Sequence, residues 1–152
     1  MRDQNYTAVF TVDQSPEDVF DAINNVYGWW TENMEGGSQK LNDEFEVWFG
    51  DVHYSKQKLI EVIPGKKVVW FVTDSKLNFV RDKNEWTGTQ IIFEIAEYGN
   101  KTELRFTHVG LTPQYECYGA CSSVWCDYIN NSLKSLITTG IGQPAGKEEM
   151  SF

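Results

Sequence analysis

The sequence has little positive charge. It contains 13 lysine and arginine residues against 22 acids, which gives a formal net charge of −9 over 152 residues. No run of basic residues interrupts this acidity. Because an acidic surface repels nucleic-acid phosphates and anionic lipid headgroups, we expect neither nucleic acid nor a membrane surface as a partner.

Long hydrophobic runs are also missing. The first residues, Met1 to Asn5, have no apolar segment after their positive charge. No stretch approaches the roughly 20 apolar residues that a membrane-spanning helix needs. The sequence therefore predicts a cytoplasmic protein.

Cysteine and histidine are scarce. The three cysteines follow a C-x3-C-x4-C spacing, which differs from the C-x2-C spacing of zinc ribbons, and they cannot all pair within one chain. The two histidines, His53 and His108, have no spacing to each other that is typical of metal ligands. Gly36-Gly37 lacks the Lys-Ser/Thr of a phosphate-binding loop. We expect reduced thiols that pack as small apolar side chains, no metal and no cofactor.

Aromatic residues, in contrast, are abundant. Six tryptophans, seven tyrosines and nine phenylalanines make up 14% of the chain, and 41% of all residues are hydrophobic. This is enough to bury one sizeable core, and large rings fill cores and line pockets. We predict a single domain over residues 1–152, with a frayed tail over 143–152.

The order of periodic segments predicts an α+β fold. A first strand over 6–12 precedes a helix that Ser15 caps and Pro16 begins, and Gly28 is expected to end that helix before a second short helix or loop. Pro64-Gly65 and Gly99-Asn100 are expected turns. The remaining strands are predicted over 44–49, 58–63, 67–73, 90–96 and 102–107. Consecutive strands with short connections predict an antiparallel sheet of about six strands.

A long helix is predicted at the C-terminal end. One of its faces mixes thiol, indole, phenol and hydroxyl groups, as the wall of a ligand pocket does. These residues recur at spacings of three or four: Cys117, Cys121, Trp125, Tyr128, Ser132 and Leu136. A long helix against a curved sheet leaves a cavity where the two do not touch.

Four segments carry a resemblance to a known family. They are residues 15–20, 62–70, 107–111 and 125–136, and their order and spacing resemble the START-like (SRPBCC) superfamily over residues 6–140. The chain is most similar to the branch related to the C-terminal domain of activators of Hsp90 ATPase. This resemblance implies the helix-grip fold, in which a curved sheet wraps around the C-terminal helix with a hydrophobic cavity between them.

The resemblance implies a binding function. Members of the superfamily bind sterols, lipids, plant hormones or polyketides. We expect this protein to bind a small hydrophobic molecule, such as a lipid, a polyketide or a flavonoid-like compound, and not to be an enzyme. Two alternatives stay open: a cyclase- or hydrolase-like enzyme with His108 or Tyr128 as acid or base, and an Hsp90-type co-chaperone or interaction module, as a homodimer or with a chaperone partner.

The predicted cavity lining combines the helix face with inward positions of the strands. His108 shares its strand phase with Leu104 and Phe106, and it could contact ligand at the cavity mouth, act as a general base, or tie the loop to the helix. Of the adjacent Trp29 and Trp30, one is expected in the core and the other at the cavity rim. The full predicted lining is Trp30, Phe45, Val47, Phe71, Phe93, Phe106, His108, Cys121, Trp125, Tyr128 and Ser132.

Overall fold

The computed structural model describes residues 5–49, 53–78, 86–112 and 118–144. These residues form an antiparallel sheet whose strands lie in the order β1-β7-β6-β5-β4-β3-β2. The strands are β1 (Tyr6–Val12), β2 (Met34–Gly36), β3 (Glu44–Phe49), β4 (His53–Ile63), β5 (Lys67–Leu77), β6 (Gln90–Tyr98) and β7 (Lys101–Val109). The predicted α+β architecture is confirmed, and the short edge strand β2 adds a seventh strand to the six expected.

Two short helices follow β1. In α1 (Pro16–Asn24), the Ser15 side chain accepts a hydrogen bond from the Asp18 backbone N–H at 3.1 Å, as the predicted cap requires. The chain leaves the helical conformation at Asn25, and α2 (Val26–Trp29) begins directly after it. The predicted helix end at Gly28 is therefore wrong, because the break comes earlier and Gly28 lies inside α2.

The strand connections follow the predicted turn residues. Gly65 and Gly99 both have positive φ, at 73° and 61°, in the β4–β5 and β6–β7 turns. The predicted start of β4 at Lys58 is wrong, because the strand already begins at His53 and pairs with β3 from that residue onward. Polar residues fill the first half of β4, which hides it from a search for apolar alternation.

The core lies between the sheet and the helices. Along β5, Val68, Trp70 and Val72 belong to the core cluster, whereas Phe71 lies between two of them and is half-buried. Successive side chains of a strand point to opposite faces, so Phe71 lies on the outer face and its predicted place in the interior lining is wrong. An unbroken apolar run offers no alternation from which to choose the inward phase.

The C-terminal helix has three segments. They are α3 (Tyr118–Asp127), a π-helical stretch (Tyr128–Leu133) and α4 (Lys134–Thr139), and Gly140 ends the helix with φ of 86°. The wider π turn moves the buried stripe by one residue, so that Ile137 is buried and Leu136 only half-buried. Cys117 lies outside the described residues. Within the part of the chain described, no helix has the length and apolar character to cross a membrane.

The segment after the helix folds back onto it. The backbone N–H of Gln143 donates to the Ser132 hydroxyl at 2.7 Å, and Pro144 is half-buried. The predicted tail over 143–152 is therefore anchored at its first residue. Its remainder, 145–152, lies outside the described residues.

Replacing Phe71 by alanine should cost much less stability than the same change at Phe93. Phe93 is fully buried, so Phe93→Ala should lower the free energy of unfolding by about 3–5 kcal/mol, whereas Phe71→Ala should lower it by about 1–2 kcal/mol. Urea unfolding of both variants measures the difference. Equal losses would place Phe71 in the interior after all.

Candidate functional site

Tryptophan rings fill the space between the sheet and the C-terminal helix. Trp30, at the end of α2, stacks on Trp125 of α3 with ring centroids 5.0 Å apart and on Trp70 of β5 at 5.7 Å. Trp125 stacks in turn on Trp86 at 5.7 Å, and Trp29 stacks on Trp30 at 6.2 Å. All four pairs are within 27° of parallel. Rings at these separations are in contact, so a ligand has no room between the two rings of any of these pairs.

His108 joins the sheet to the C-terminal helix at the centre of this stack. The Trp125 indole N–H donates to His108 Nδ1 at 3.1 Å, so the imidazole carries its proton on Nε2. That nitrogen bonds the Thr89 hydroxyl at 2.9 Å, and the hydroxyl donates to the backbone carbonyl of Trp86 at 2.6 Å. His108 has no exposed surface and does not line an open mouth. Burial lowers its pKa to about 3, so the imidazole is neutral.

A row of polar side chains lies on the inward phase of β4. We call His53, Ser55 and Gln57 the polar row; their exposure is 1% or less. The Ser55 hydroxyl accepts from Gln57 Nε2 at 2.6 Å and bonds His53 Nε2 at 2.9 Å. Burial, with a smaller contribution from His108, lowers the pKa of His53 to about 3. The His53 ring meets Trp86 edge-on, with centroids 4.6 Å apart.

The polar row was not predicted from the sequence. Its members stand at every second position, in phase with the apolar Leu59, while Tyr54, Lys56 and Lys58 occupy the outer phase. The predicted strand began only at Lys58, and a polar period-two pattern is normally that of a solvent-facing side, so nothing in their own pattern marked these residues as inward-facing. The phase of Leu59 in the same strand is the pattern that could have corrected it.

No family model and no curated protein matches the sequence. Solved structures do match. The Aha1 dimer from Colwellia psychrerythraea superposes with a TM-score of 0.73 and 24% identity, over 91% of this chain and 98% of that one. SSP2350 from Staphylococcus saprophyticus superposes with a TM-score of 0.68 and 15% identity, over 93% of this chain and 97% of that one. DynU16, from the dynemicin biosynthetic locus, superposes with a TM-score of 0.66 and 14% identity, over 93% of this chain and 49% of that one.

The fold is a helix grip. The solved structures share this fold with the chain, which confirms the helix-grip architecture that the resemblance implied. Ten of the eleven predicted lining residues are buried, and Phe71 is the exception. Trp70 and Trp86 are buried as well, and neither was among the predicted lining residues.

Ser132 is committed to the protein's own backbone. Its hydroxyl donates to the carbonyl of Trp29 at 2.6 Å and accepts from the Gln143 N–H at 2.7 Å. The side chain therefore links α2, the π-helical stretch and the following segment. Cys121 is buried, whereas Cys126 is exposed. Among the described residues, no group of three or more histidine, cysteine or acidic side chains is placed to hold a metal ion.

In the part of the chain that the structure describes, several buried polar atoms have no hydrogen-bond partner. They include Gln57 Oε1 and the indole nitrogens of Trp70 and Trp86. A buried polar atom without a partner costs about 1–3 kcal/mol, so such atoms are rare in folded proteins. Bound water or a ligand group is the usual explanation.

Lowering the pH from 7 to 5 should destabilise the domain. A histidine of the unfolded chain takes up a proton near pH 6.5, whereas both folded imidazoles stay neutral down to a pH of about 3. The unfolded state therefore binds more protons below pH 6.5, and each histidine removes about 1.4 kcal/mol of stability per pH unit there. Well above pH 6.5 the histidines of the unfolded chain are neutral as well, so this loss of stability is absent there.

Urea unfolding at several pH values between 7 and 5 measures the slope. In His108→Gln only one buried histidine remains, so we expect about half the slope of the unmodified protein. A slope that is unchanged in this variant would contradict the assignment of His108 as a buried neutral group.

Proposed function

We propose that this helix-grip domain binds a small hydrophobic or aromatic molecule between the concave face of the sheet and the C-terminal helix. The polar row is the observation that carries the proposal. An interior used for packing alone gains from apolar side chains at these positions, because buried polar groups cost free energy unless they are paired. Polar atoms among tryptophan rings are instead what a pocket uses to orient an apolar ligand.

A ligand would enter by displacing a ring from the tryptophan stack. Trp70 lies in a central strand and Trp125 in a long helix, whereas Trp86 stands in a turn ahead of β6. A turn opens at a lower free energy than a central strand does. Movement of Trp86 would uncover one face of Trp125 and the edge of His53, and a planar ligand could take its place.

The surroundings of His108 support binding without turnover. Both imidazole nitrogens are hydrogen-bonded within the protein. A general base works best when its pKa is near the working pH, and burial holds the pKa of His108 at about 3. We therefore propose that His108 positions Trp125 and Trp86 and transfers no proton.

A second candidate is an interaction module that pairs with itself or with a chaperone. It is favoured by the structural similarity to the Aha1 dimer and by the resemblance to activators of Hsp90 ATPase. Light scattering over a range of protein concentrations tests self-association, and the ATPase rate of added Hsp90 tests activation. A monomer that leaves the ATPase rate unchanged would remove this candidate.

Binding can be tested with N-phenyl-1-naphthylamine, a neutral dye that fluoresces in apolar sites. We expect saturable binding of one dye per chain, with energy transfer from the tryptophans. Palmitate and quercetin added as competitors distinguish lipid from aromatic ligands. Absence of saturable dye binding, together with no thermal shift from either competitor, would refute the proposed function.

Two variants locate the dye. Ser55→Phe places a ring in the polar row, so we expect it to weaken dye binding at least tenfold. Ser75→Leu is a milder obstruction on β5, directly opposite Ser55, and serves if Ser55→Phe does not fold. The matched control is Phe71→Ala on the outer face, which should bind the dye as the unmodified protein does. Loss of binding in the control alone would place the site outside the interior.

A further inference from the structure

The chain crosses α2 immediately after the C-terminal helix. Gly140 turns the backbone out of the helix, and residues 140–144, which we call the strap, run over α2. A methyl group at Gly142 would overlap the carbonyl oxygen of Gly28 and would lie 3.3 Å from the Ser132 carbonyl oxygen. The φ of Gly142 is not positive, so glycine is needed there for close approach alone. The strap therefore packs backbone to backbone against α2.

Hydroxyl groups of the C-terminal helix hold the strap at both ends. Near its start, the Ser135 hydroxyl donates to the Ile141 carbonyl at 2.7 Å. Near its end, the Gln143 N–H donates to the Ser132 hydroxyl at 2.7 Å, and this hydroxyl donates to the Trp29 carbonyl at 2.6 Å. One buried hydroxyl thus joins the strap, the π-helical stretch and the C-terminal end of α2.

The position of α2 depends on such contacts. Its four residues are too few to form a stable helix by themselves. Asn25 separates α2 from α1 with φ of −90° and ψ of 67°, a break at which α2 can turn relative to α1. At the other end of α2, Trp29 stacks on Trp70 with ring centroids 6.3 Å apart, and Trp30 stacks on Trp125 at 5.0 Å. A movement of α2 therefore moves two rings of the tryptophan stack.

We propose that the strap is a latch that holds α2, with Trp29 and Trp30, over the interior. When the strap lifts from Gly28, α2 turns about Asn25 and withdraws both rings from the stack. The interior then opens at the α2 end by a movement that leaves the Trp86 turn in place. This inference rests on the proposed function and adds its regulation, because the strap sets how often the interior is open to a ligand.

Hydrogen exchange in the unmodified protein shows whether α2 opens as a separate unit. The Trp30 N–H donates to the Val26 carbonyl at 2.8 Å, and its proton exchanges only when this bond breaks. A local opening exposes little surface, so the exchange rate should hardly depend on low concentrations of urea. A dependence as steep as that of the slowest-exchanging amides would mean that α2 opens only with the whole domain, and it would overturn the proposal.

Gly142→Ala tests the strap. Alanine can adopt the backbone conformation of this residue, but its methyl group should overlap the Gly28 carbonyl and hold the strap away from α2. We expect the Trp30 N–H to exchange about tenfold faster, the factor that one or two hydrogen bonds give. If this variant does not fold, Gln143→Pro removes the N–H that bonds Ser132, and we expect about a fivefold increase.

Two controls separate release of the strap from general loosening. The Thr89 N–H, which donates to the Trp86 carbonyl at 3.0 Å, reports opening of the Trp86 turn, and its exchange rate should not change. Gly119→Ala is the matched variant, because a methyl group at this exposed position of α3 has no neighbour within 4 Å among the described residues outside its own part of the helix. It should leave both exchange rates unchanged.

The dye tests whether the latch controls access. With Gly142→Ala we expect N-phenyl-1-naphthylamine to associate about tenfold faster in stopped-flow fluorescence, because the open population is larger. Faster exchange at Trp30 with an unchanged rate of dye association would overturn the inference, and so would an unchanged exchange rate. If the dye binds neither protein, the proposed function itself fails, and the exchange rates alone decide whether the strap latches α2.

Discussion

The hydrogen bond from the Trp125 indole to His108 is the interaction on which the interior depends. It fixes the C-terminal helix against β7 and sets the imidazole tautomer. That tautomer lets Nε2 donate to Thr89, and the Thr89 hydroxyl then holds the backbone at Trp86. Trp125 also stacks on Trp30 and Trp86. One indole therefore links the C-terminal helix to the sheet, to the end of α2 and to the turn before β6. A neutral histidine is essential to this arrangement, since a charged imidazole could not accept at Nδ1.

The helix-grip fold supplies a concave face, and the side chains of this chain determine how that face is used. One part is a wall of stacked indoles. The other is the polar row on β4, whose hydrogen bonds are mostly internal but leave Gln57 Oε1 unsatisfied. Structures with 14–24% identity share the fold, so they give no information about these side chains. The proposed ligand class therefore follows from the chemistry of the interior, and the fold contributes only its location.

Local sequence rules predicted most of the fold. Ser15 and Pro16 begin α1, Gly65 and Gly99 form turns, and alternation identifies the inward face of β3. The errors lie where a residue's neighbours in space decide its environment. The apolar run around Phe71 shows no alternation that would identify its inward face. The polar row resembles a solvent-facing side until the positions of the Trp30 and Trp86 rings that cover it are known. For the site, the helix residues Trp125 and Tyr128 were predictable, whereas the pairing of His108 with Thr89 required tertiary structure.

In the absence of a ligand, the stacked tryptophan rings themselves fill the interior. A pocket that stays open without its ligand leaves cavity-lining atoms without contacts, and the domain then depends on the ligand for part of its stability. Here the rings contact one another instead, so the unliganded domain is already well packed. Any molecule that enters must first separate rings such as Trp86 and Trp125. The smaller the population in which these rings are separated, the weaker the apparent affinity of the ligand. The tryptophan rings therefore compete with any ligand for the same space.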